Sequence, residues 1–274
     1  MRIYIGTSGY SYNDWVGPFY PEKTKKSDFF PYYAERFHFT ELNFPYYKQP
    51  MPFIVEKIRN KAPDGFQFAV KAHKSLTHEQ NENWKQQADT YLKGLEPLTE
   101  ADMLAAVLLQ FPYGFHYNFK NRTYLASLCD KLSDIPLCIE FRNTDWLKKS
   151  VTEELHTRGI PQVFSDYPQL KGLPPLPSIP SQKALGENSE KGPQFRYIRF
   201  HGRNKKNWWQ GDATTRYDYL YSQQELQPWV DIVQSLKNTD ILYVAFNNHY
   251  NAQAVQNAFM LKDMLSGTSG VEVF

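Results

Sequence analysis

Eight short runs rich in apolar and β-branched residues recur near residues 3–6, 39–42, 67–71, 105–110, 137–141, 161–165, 196–200 and 241–246, and the gaps between them have room for helices. Runs of this length and near-continuous apolar character suit strands that are covered on both faces. The gaps carry helical punctuation. Ser150-x-x-Glu153 and Ser222-x-x-Glu225 read as capping boxes. The second precedes Leu226, Trp229, Val230, Val233 and Leu236, which keep a helical period. A last helix is expected from Asn251, with Ala254, Val255, Ala258, Phe259 and Leu261 on its inner side. Strand and helix alternating in this way predict an α/β fold, a parallel sheet closed as a (β/α)₈ TIM-type barrel.

The chain has 274 residues, which fits one such barrel of ~250 residues, so a single domain over 1–274 is expected. The stretch 168–193 is too dense in proline for a helix. It reads as a long irregular connection between the sixth and seventh strands. The strand and helix units that follow it would make a poor domain by themselves.

A net charge of +2 gives no global basic field of the kind that marks a dedicated nucleic-acid binder. The longest aliphatic run, 103–109, is far too short to span a bilayer. The chain enters a strand without a signal-peptide core, so a soluble cytoplasmic protein with no membrane partner is expected. Cys129 and Cys138 show neither CxxC spacing nor histidine neighbours and read as buried thiols in a reducing compartment. Oligomeric state is left open, with a monomer as the default.

In a barrel of this type the site lies at the C-terminal ends of the strands. Those ends are polar here: Glu41 and Asn43, Lys71 and His73, Gln110, Glu140 and Arg142, Asp166, Arg199 and His201, then Asn247, Asn248 and His249. Residues two apart share a face of a strand, and charged groups are seldom buried unpaired. A polar pocket is therefore predicted. Glu41, Glu140, His201 and Asp166 are its candidates for catalysis. Lys71, His73, Gln110, Arg142, Arg199, Arg203, Asn43, Asn247 and Asn248 are its candidates for ligand contacts, joined from the loops by Tyr10, Trp208 and Trp209.

Each of these residues also has a structural reading. Glu41 and Glu140 are either an acid/base pair or the counter-ions of Lys71 and Arg142. Lys71 has the chemistry for a Schiff base, but a neighbouring carboxylate would keep it protonated. His201 is a proton shuttle, a metal ligand or an orienter of Arg199. Glu41, Glu140, Asp166 and His201 would be the donors for a divalent metal, although no HxxxH, HxH or DxD spacing indicates one. No cofactor is assigned. Arg142, Arg199 and Arg203 with Lys71 make a better case for a phosphate- or carboxylate-bearing ligand.

Aromatic residues make up 16% of the chain and crowd the loops, as Tyr10, Tyr12, Trp15, Phe19 and Tyr20 after the first strand and Phe44, Tyr46 and Tyr47 after the second. The first group reads as packing over the barrel top. Lys205, Lys206, Trp208 and Trp209 read equally as packing or as a stacking surface for single-stranded nucleic acid.

The sequence resembles the domain of unknown function 72 (YecE-like) family nearly from end to end. The resemblance is carried by Ile5-Gly6-Thr7-Ser8-Gly9-Tyr10, by Trp15 with Phe19-Tyr20-Pro21, and by Glu41-Leu42-Asn43. Phe68-Ala69-Val70-Lys71 with Thr77-His78 and Leu108-Leu109-Gln110-Phe111-Pro112 continue it. The later half adds Glu140-Phe141-Arg142 with Trp146, Arg199-Phe200-His201-Gly202-Arg203, Arg216-Tyr217-Asp218-Tyr219 and Phe246-Asn247-Asn248. It implies a TIM-type barrel, similar to endonuclease IV-like and xylose-isomerase-like barrels, and by that analogy phosphodiester hydrolysis or sugar chemistry. The many histidines and carboxylates of a three-zinc nuclease are missing, so that mechanism is not carried over. Phe44-Pro45-Tyr46-Tyr47 stands where Ser-Thr-Phe-Tyr is more common, which removes a hydroxyl donor.

The leading expectation is hydrolysis of a phosphate-bearing ligand, plausibly a nucleic-acid phosphodiester. Glu41 or Glu140 would be the base, His201 the acid, and Arg142, Arg199 and Lys71 the anion clamp. The rivals are a glycoside- or sugar-processing enzyme using Glu41 and Glu140, and a non-catalytic binder of nucleic acid or of a phosphorylated metabolite.

Overall fold

The computed structural model describes residues 1–176, 193–236 and 239–274. Its strands are β1 (Arg2–Ser8), β2 (Phe39–Leu42), β3 (Gln67–Lys71), β4 (Leu104–Gln110), β5 (Leu137–Glu140), β6 (Phe164–Asp166), β7 (Phe195–Phe200) and β8 (Ile241–Phe246). The helices between them include α1 (Lys26–Ala34), α2 (Phe44–Tyr47), α3 (Pro52–Arg59), α4 (Trp84–Thr99), α5 (Phe119–Lys131) and α6 (Lys149–Thr157). α7 (Ala213–Arg216), α8 (Gln223–Ser235) and α9 (Gln253–Leu265) complete the set in the second half.

The sheet runs β5-β4-β3-β2-β1-β8-β7-β6 with parallel pairing. It closes where Gln162, just ahead of β6, bridges Ile139 of β5, and the Val163 N–H donates to the Ile139 carbonyl at 2.8 Å. The expected (β/α)₈ barrel is the observed fold. β6 is displaced from the expected 161–165, because Pro161 and Gln162 meet β5 only through the closing bridge and the ladder to β7 starts at Phe164.

Register decides which side chains face inward. Across the lower barrel Tyr4 pairs with Tyr243, Tyr197 with Tyr243, and Ala69 with Ala106, so large and small residues alternate to fill the interior. The opposite faces, with Phe200, Val244 and Val107 among them, pack on the helices in the larger core. A short β9 (Glu272–Val273) pairs with the start of β1, and Phe274 stacks on Tyr4 at 4.9 Å. Two residues are too few for the sequence pattern to show.

The helix signals divide. Ser222 caps α8 in a complete capping box with Glu225, and Leu226, Trp229, Val230 and Val233 are buried as expected. Ser150 caps nothing: it lies inside α6, whose N-cap is Lys148. The last helix begins at Gln253, not Asn251, after a 3₁₀ turn in which Asn251 has φ +47°. Ala254, Val255, Ala258 and Leu261 are buried, whereas Phe259 is 37% exposed with its ring 4.8 Å from that of Phe37. The irregular connection expected over 168–193 is without strand or helix in 168–176 and 193, and 177–192 lies outside the described residues. Both cysteines are free and buried. No helix among the described residues is long and apolar enough to cross a membrane.

Candidate functional site

Glu41 of β2 faces inward with its register partners Ser8 and Ala69, and Glu140 of β5 does so with Gln110. Arg199, on β7, enters the same space. Its guanidinium lies between the carboxylates: Nε and Nη2 donate to Glu41 at 2.9 and 2.7 Å, and Nη1 donates to Glu140 Oε2. All three side chains are essentially sealed from solvent. Tyr197 and Tyr167 add phenol donors to Glu41 and Glu140 at 2.9 and 2.7 Å, and Arg142 Nε reaches Glu140 at 3.1 Å. Burial alone would raise the Glu140 carboxyl, but Arg199, His201 and Arg142 together outweigh burial and hold it well below the usual range.

His201 completes this floor. Its Nε2 is 3.2 Å from Glu140 Oε1 and its Nδ1 is 3.1 Å from the Asn247 amide nitrogen. These partners assign a neutral ring that donates through Nε2 and accepts at Nδ1. Burial pushes the imidazole down to about 3, in agreement with that state. Tyr167 stacks on the ring at 4.9 Å. The Ser8 hydroxyl, beside Glu41 in register, is buried with no hydrogen-bond partner among the described residues.

Above the floor is a half-exposed rim. Lys71 ends β3, and its Nζ stands 4.0 Å over the ring of Tyr46. Glu41 and Glu140 are held by the arginines, so Lys71 lacks the carboxylate expected for it, and no salt bridge to it forms among the described residues. Burial, then Arg142 and Arg199, push its amine down to about 7, against the weaker opposing pull of Glu140 and Glu41. A π-helical turn over Ser75–Glu79 follows β3 and sets the His78 ring edge-on to Tyr46 at 5.0 Å. Burial, then Lys71 and Arg142, push His78 down to about 4. Burial would raise the Tyr217 phenol, yet the neighbouring Arg142 guanidinium leaves it lowered. Tyr46, Lys71, His78, Arg142 and Tyr217 all keep some contact with solvent.

Three expected pocket residues face the helices instead. Asp166 pairs in register with Phe200, whose side chain is outward, so its carboxylate lies behind the barrel wall. There it accepts from Arg203 at 2.9 and 2.7 Å, Tyr221 at 2.9 Å and Trp229 at 2.8 Å. Arg203 belongs to that cluster because Gly202, at φ +84°, breaks the strand alternation after His201. A Cβ on Gly202 would also stand 2.8 Å from that of Tyr219. Asn248 turns outward to Asn257 of α9 and the Tyr219 carbonyl, both at 2.8 Å.

The remaining candidates separate by their contacts. Gln110 is buried and donates to the Phe111 carbonyl at 2.8 Å. His73 lies beyond the strand, bonded to Ser75 at 2.8 Å, with Glu79 and Lys74 as its charged neighbours. Tyr10 packs on Phe30 and Tyr33, as the loop-packing reading of its cluster expected. Asn43 is half-buried at the start of α2. Trp208 is buried edge-on to Tyr167 and Tyr217, whereas Trp209 is 51% exposed beside Tyr113. Among the described residues no three His, Cys, Asp or Glu side chains group so as to hold a metal ion. Asp166 stands apart from Glu41, Glu140 and His201. Tyr46, Tyr217, Tyr167 and Tyr197 were not singled out from the sequence, since a phenol at a strand end or in a loop carries no periodic signal.

The family described as protein of unknown function DUF72 matches residues 4–272. The UPF0759 protein YunF of Bacillus subtilis (strain 168) is 31% identical over 278 residues, covering 96% of this chain and 94% of its own. The crystal structure of a DUF72 family protein (TM1631) from Thermotoga maritima MSB8 superposes with TM-score 0.83 at 37% identity, over 97% of this chain and 99% of that one. A second DUF72 family protein, EF0366 from Enterococcus faecalis V583, shares the fold at TM-score 0.81 and 24% identity, over 96% and 95% of the two chains. Sequence match, identity and coverage agree: the chain belongs to the DUF72 family.

Proposed function

We propose that the mouth of the barrel binds a small molecule carrying a phosphate or carboxylate group, held by Arg142 and Lys71. The observation that carries this is the charge left after internal pairing. Glu41 and Glu140 are offset by Arg199 and Arg142, so the Lys71 amine has no salt-bridge partner among the described residues, in a site walled by tyrosines. A lysine without a counter-ion, beside a guanidinium that still meets solvent, favours an anion from outside.

The hydrolytic roles have less support. Glu140, held strongly ionised by arginines, is a weak base, and a neutral His201 with both nitrogens engaged is a poor acid. Glycoside cleavage has less still, because the Arg199 guanidinium fills the space between the carboxylates where the scissile bond would sit. A second reading, single-stranded nucleic acid over the rim, draws on the exposed Trp209 beside exposed Lys205 and Lys206.

The test is calorimetric titration of the full chain with inorganic phosphate, with acetate and with a short oligothymidylate, repeated on Arg142→Ala. The expected result is binding of phosphate or acetate that weakens at least about tenfold in the variant, a loss of one charge-assisted pair. Equal affinity in both proteins, or no binding of either small anion, would overturn the reading. Tight oligothymidylate binding that falls steeply with salt would favour the second one.

A further inference from the structure

We propose that Lys71 is a Schiff-base lysine that condenses with the carbonyl carbon of an aldehyde or ketone whose anionic group rests on Arg142. The proposal rests on the anion-site reading and adds a substrate class to it: a small oxo-acid or a phosphorylated carbonyl compound.

The geometry carries it first. Lys71 is the last residue of β3, in register with Leu108 of β4, so its side chain rises along the inner wall to the mouth. Its Nζ is directed by the face of Tyr46, which orients the amine without accepting its proton. A surface lysine free in water has no such fixed position. Lys71 as a residue is half-buried at the mouth, the side from which a small carbonyl compound would approach.

The surrounding charges then decide its protonation. From β2 and β5 come the carboxylates of Glu41 and Glu140, both bonded to Arg199. Arg142 on the β5 side and Arg199 on β7 face the amine as like charges. His78, on the π-helical turn, is held neutral and adds no positive charge. From α2, Tyr46 offers only its ring face. Burial and the two arginines win over the carboxylates, and the amine titrates near 7. At neutral pH such a lysine presents roughly a thousand times more free amine than one at the ordinary value of ~10.4.

The step balances without an added reagent. The neutral Nζ attacks the carbonyl carbon, a C–N bond forms, and the C=O π pair moves to oxygen, which takes a proton from solvent. The nitrogen, cationic after the attack, gives one proton to solvent to form the neutral carbinolamine; the hydroxyl takes a proton and leaves as water while the freed nitrogen lone pair forms C=N. Nothing is oxidised or reduced. The product is a protonated imine, a cation next to Arg142, which an anionic substituent on the substrate would offset.

The experiment is reductive trapping on the full-length wild-type chain. The protein is incubated with pyruvate, glycolaldehyde phosphate or, as the uncharged control, propanal. Sodium cyanoborohydride is added and the modified lysines are mapped by peptide mass spectrometry. The expected result is preferential labelling of Lys71, faster with the two anionic carbonyls than with propanal, at a rate falling about tenfold per unit below pH 7. Labelling of Lys71 no faster than that of surface lysines would overturn the proposal. Were phosphate still to bind in an Arg142-dependent way, only the Schiff base would fall; with no phosphate binding either, both readings fall. Lys71→Arg removes the nucleophile, so it should trap nothing at that position. Trapping undiminished in that variant would also sink the idea.

Discussion

Two buried clusters in this protein are built from the same residue types, and they are arranged to opposite ends. Behind the barrel wall, Asp166 faces Arg203, Tyr221, Trp229 and, through Arg203, Glu225. Both carboxylate oxygens of Asp166 accept two bonds, and the helix α8 covers them. Inside the barrel, Glu41, Arg199, Glu140 and His201 are as tightly bonded, but the cluster opens upward onto Arg142 and Lys71. The outer cluster sets two carboxylates against the single guanidinium of Arg203, is completed by neutral donors from Tyr219, Tyr221 and Trp229, and fastens a helix to a strand. The inner one leaves a cation unmatched at the place where this fold binds its ligands. Saturated bonding by itself therefore does not separate structural from functional groups; what remains unpaired at the edge does.

Arg199→Leu should show the largest effect. It leaves two buried carboxylates without their shared partner, a loss of about 3–5 kcal/mol, which lowers the melting temperature by roughly 10 °C at the ~2–4 °C per kcal/mol usual for chains near this size. Differential scanning calorimetry reads it. The variant should also raise the Lys71 amine, since one of the two guanidiniums that oppose Glu41 and Glu140 would be gone, and slow reductive trapping. Unchanged stability would mean that the guanidinium does not hold the floor together.

Asp166→Asn comes next, at about 2–3 kcal/mol, because Arg203 is part-exposed and water can replace much of what it loses. Its diagnostic feature is what it spares. Phosphate binding at the mouth and trapping at Lys71 should match wild type under conditions where the variant is folded. An Asp166→Asn protein that folds yet binds phosphate as poorly as Arg142→Ala would erase the distinction between the clusters.

The barrel was legible because eight strands repeat the same apolar signal, and repetition tolerates an error of a few residues at any one of them, as at β6. The inward pairs were legible where alternation continues: Glu140 with Arg142, and Arg199 with His201, meet as residues two apart should. The same rule failed at Arg203 because one glycine with positive φ ends the alternation. It failed at Asp166 because the strand runs over 164–166 and pairs Asp166 with the outward-facing Phe200. Of the ion pairs, Glu140 with Arg142 was legible and the partner of Glu41 was not. One guanidinium from β7 spans β2 and β5, and that removes from Lys71 the counter-ion its neighbours in sequence promised. At Phe44-Pro45-Tyr46-Tyr47, where the resemblance pointed to a lost hydroxyl, the chain supplies the ring beneath the lysine.

The smallest effect concerns the two capping boxes, which are identical as patterns and different as structures. Ser222 accepts from the Glu225 N–H at 3.3 Å while the Glu225 carboxylate accepts from the Ser222 N–H at 3.0 Å. That glutamate also bonds to Tyr219 and reaches Arg203, so the start of α8 is tied to the outer cluster. Ser150 sits one residue inside the first of α6 and is exposed. Ser222→Ala should cost about 1 kcal/mol in chemical denaturation, and Ser150→Ala less than about 0.5 kcal/mol. Neither should alter phosphate affinity. If Ser222→Ala did weaken phosphate binding, the outer cluster would be coupled to the mouth through Gly202, whose N–H donates to the same Tyr221 hydroxyl that bonds Asp166. The two clusters would then have to be treated as one.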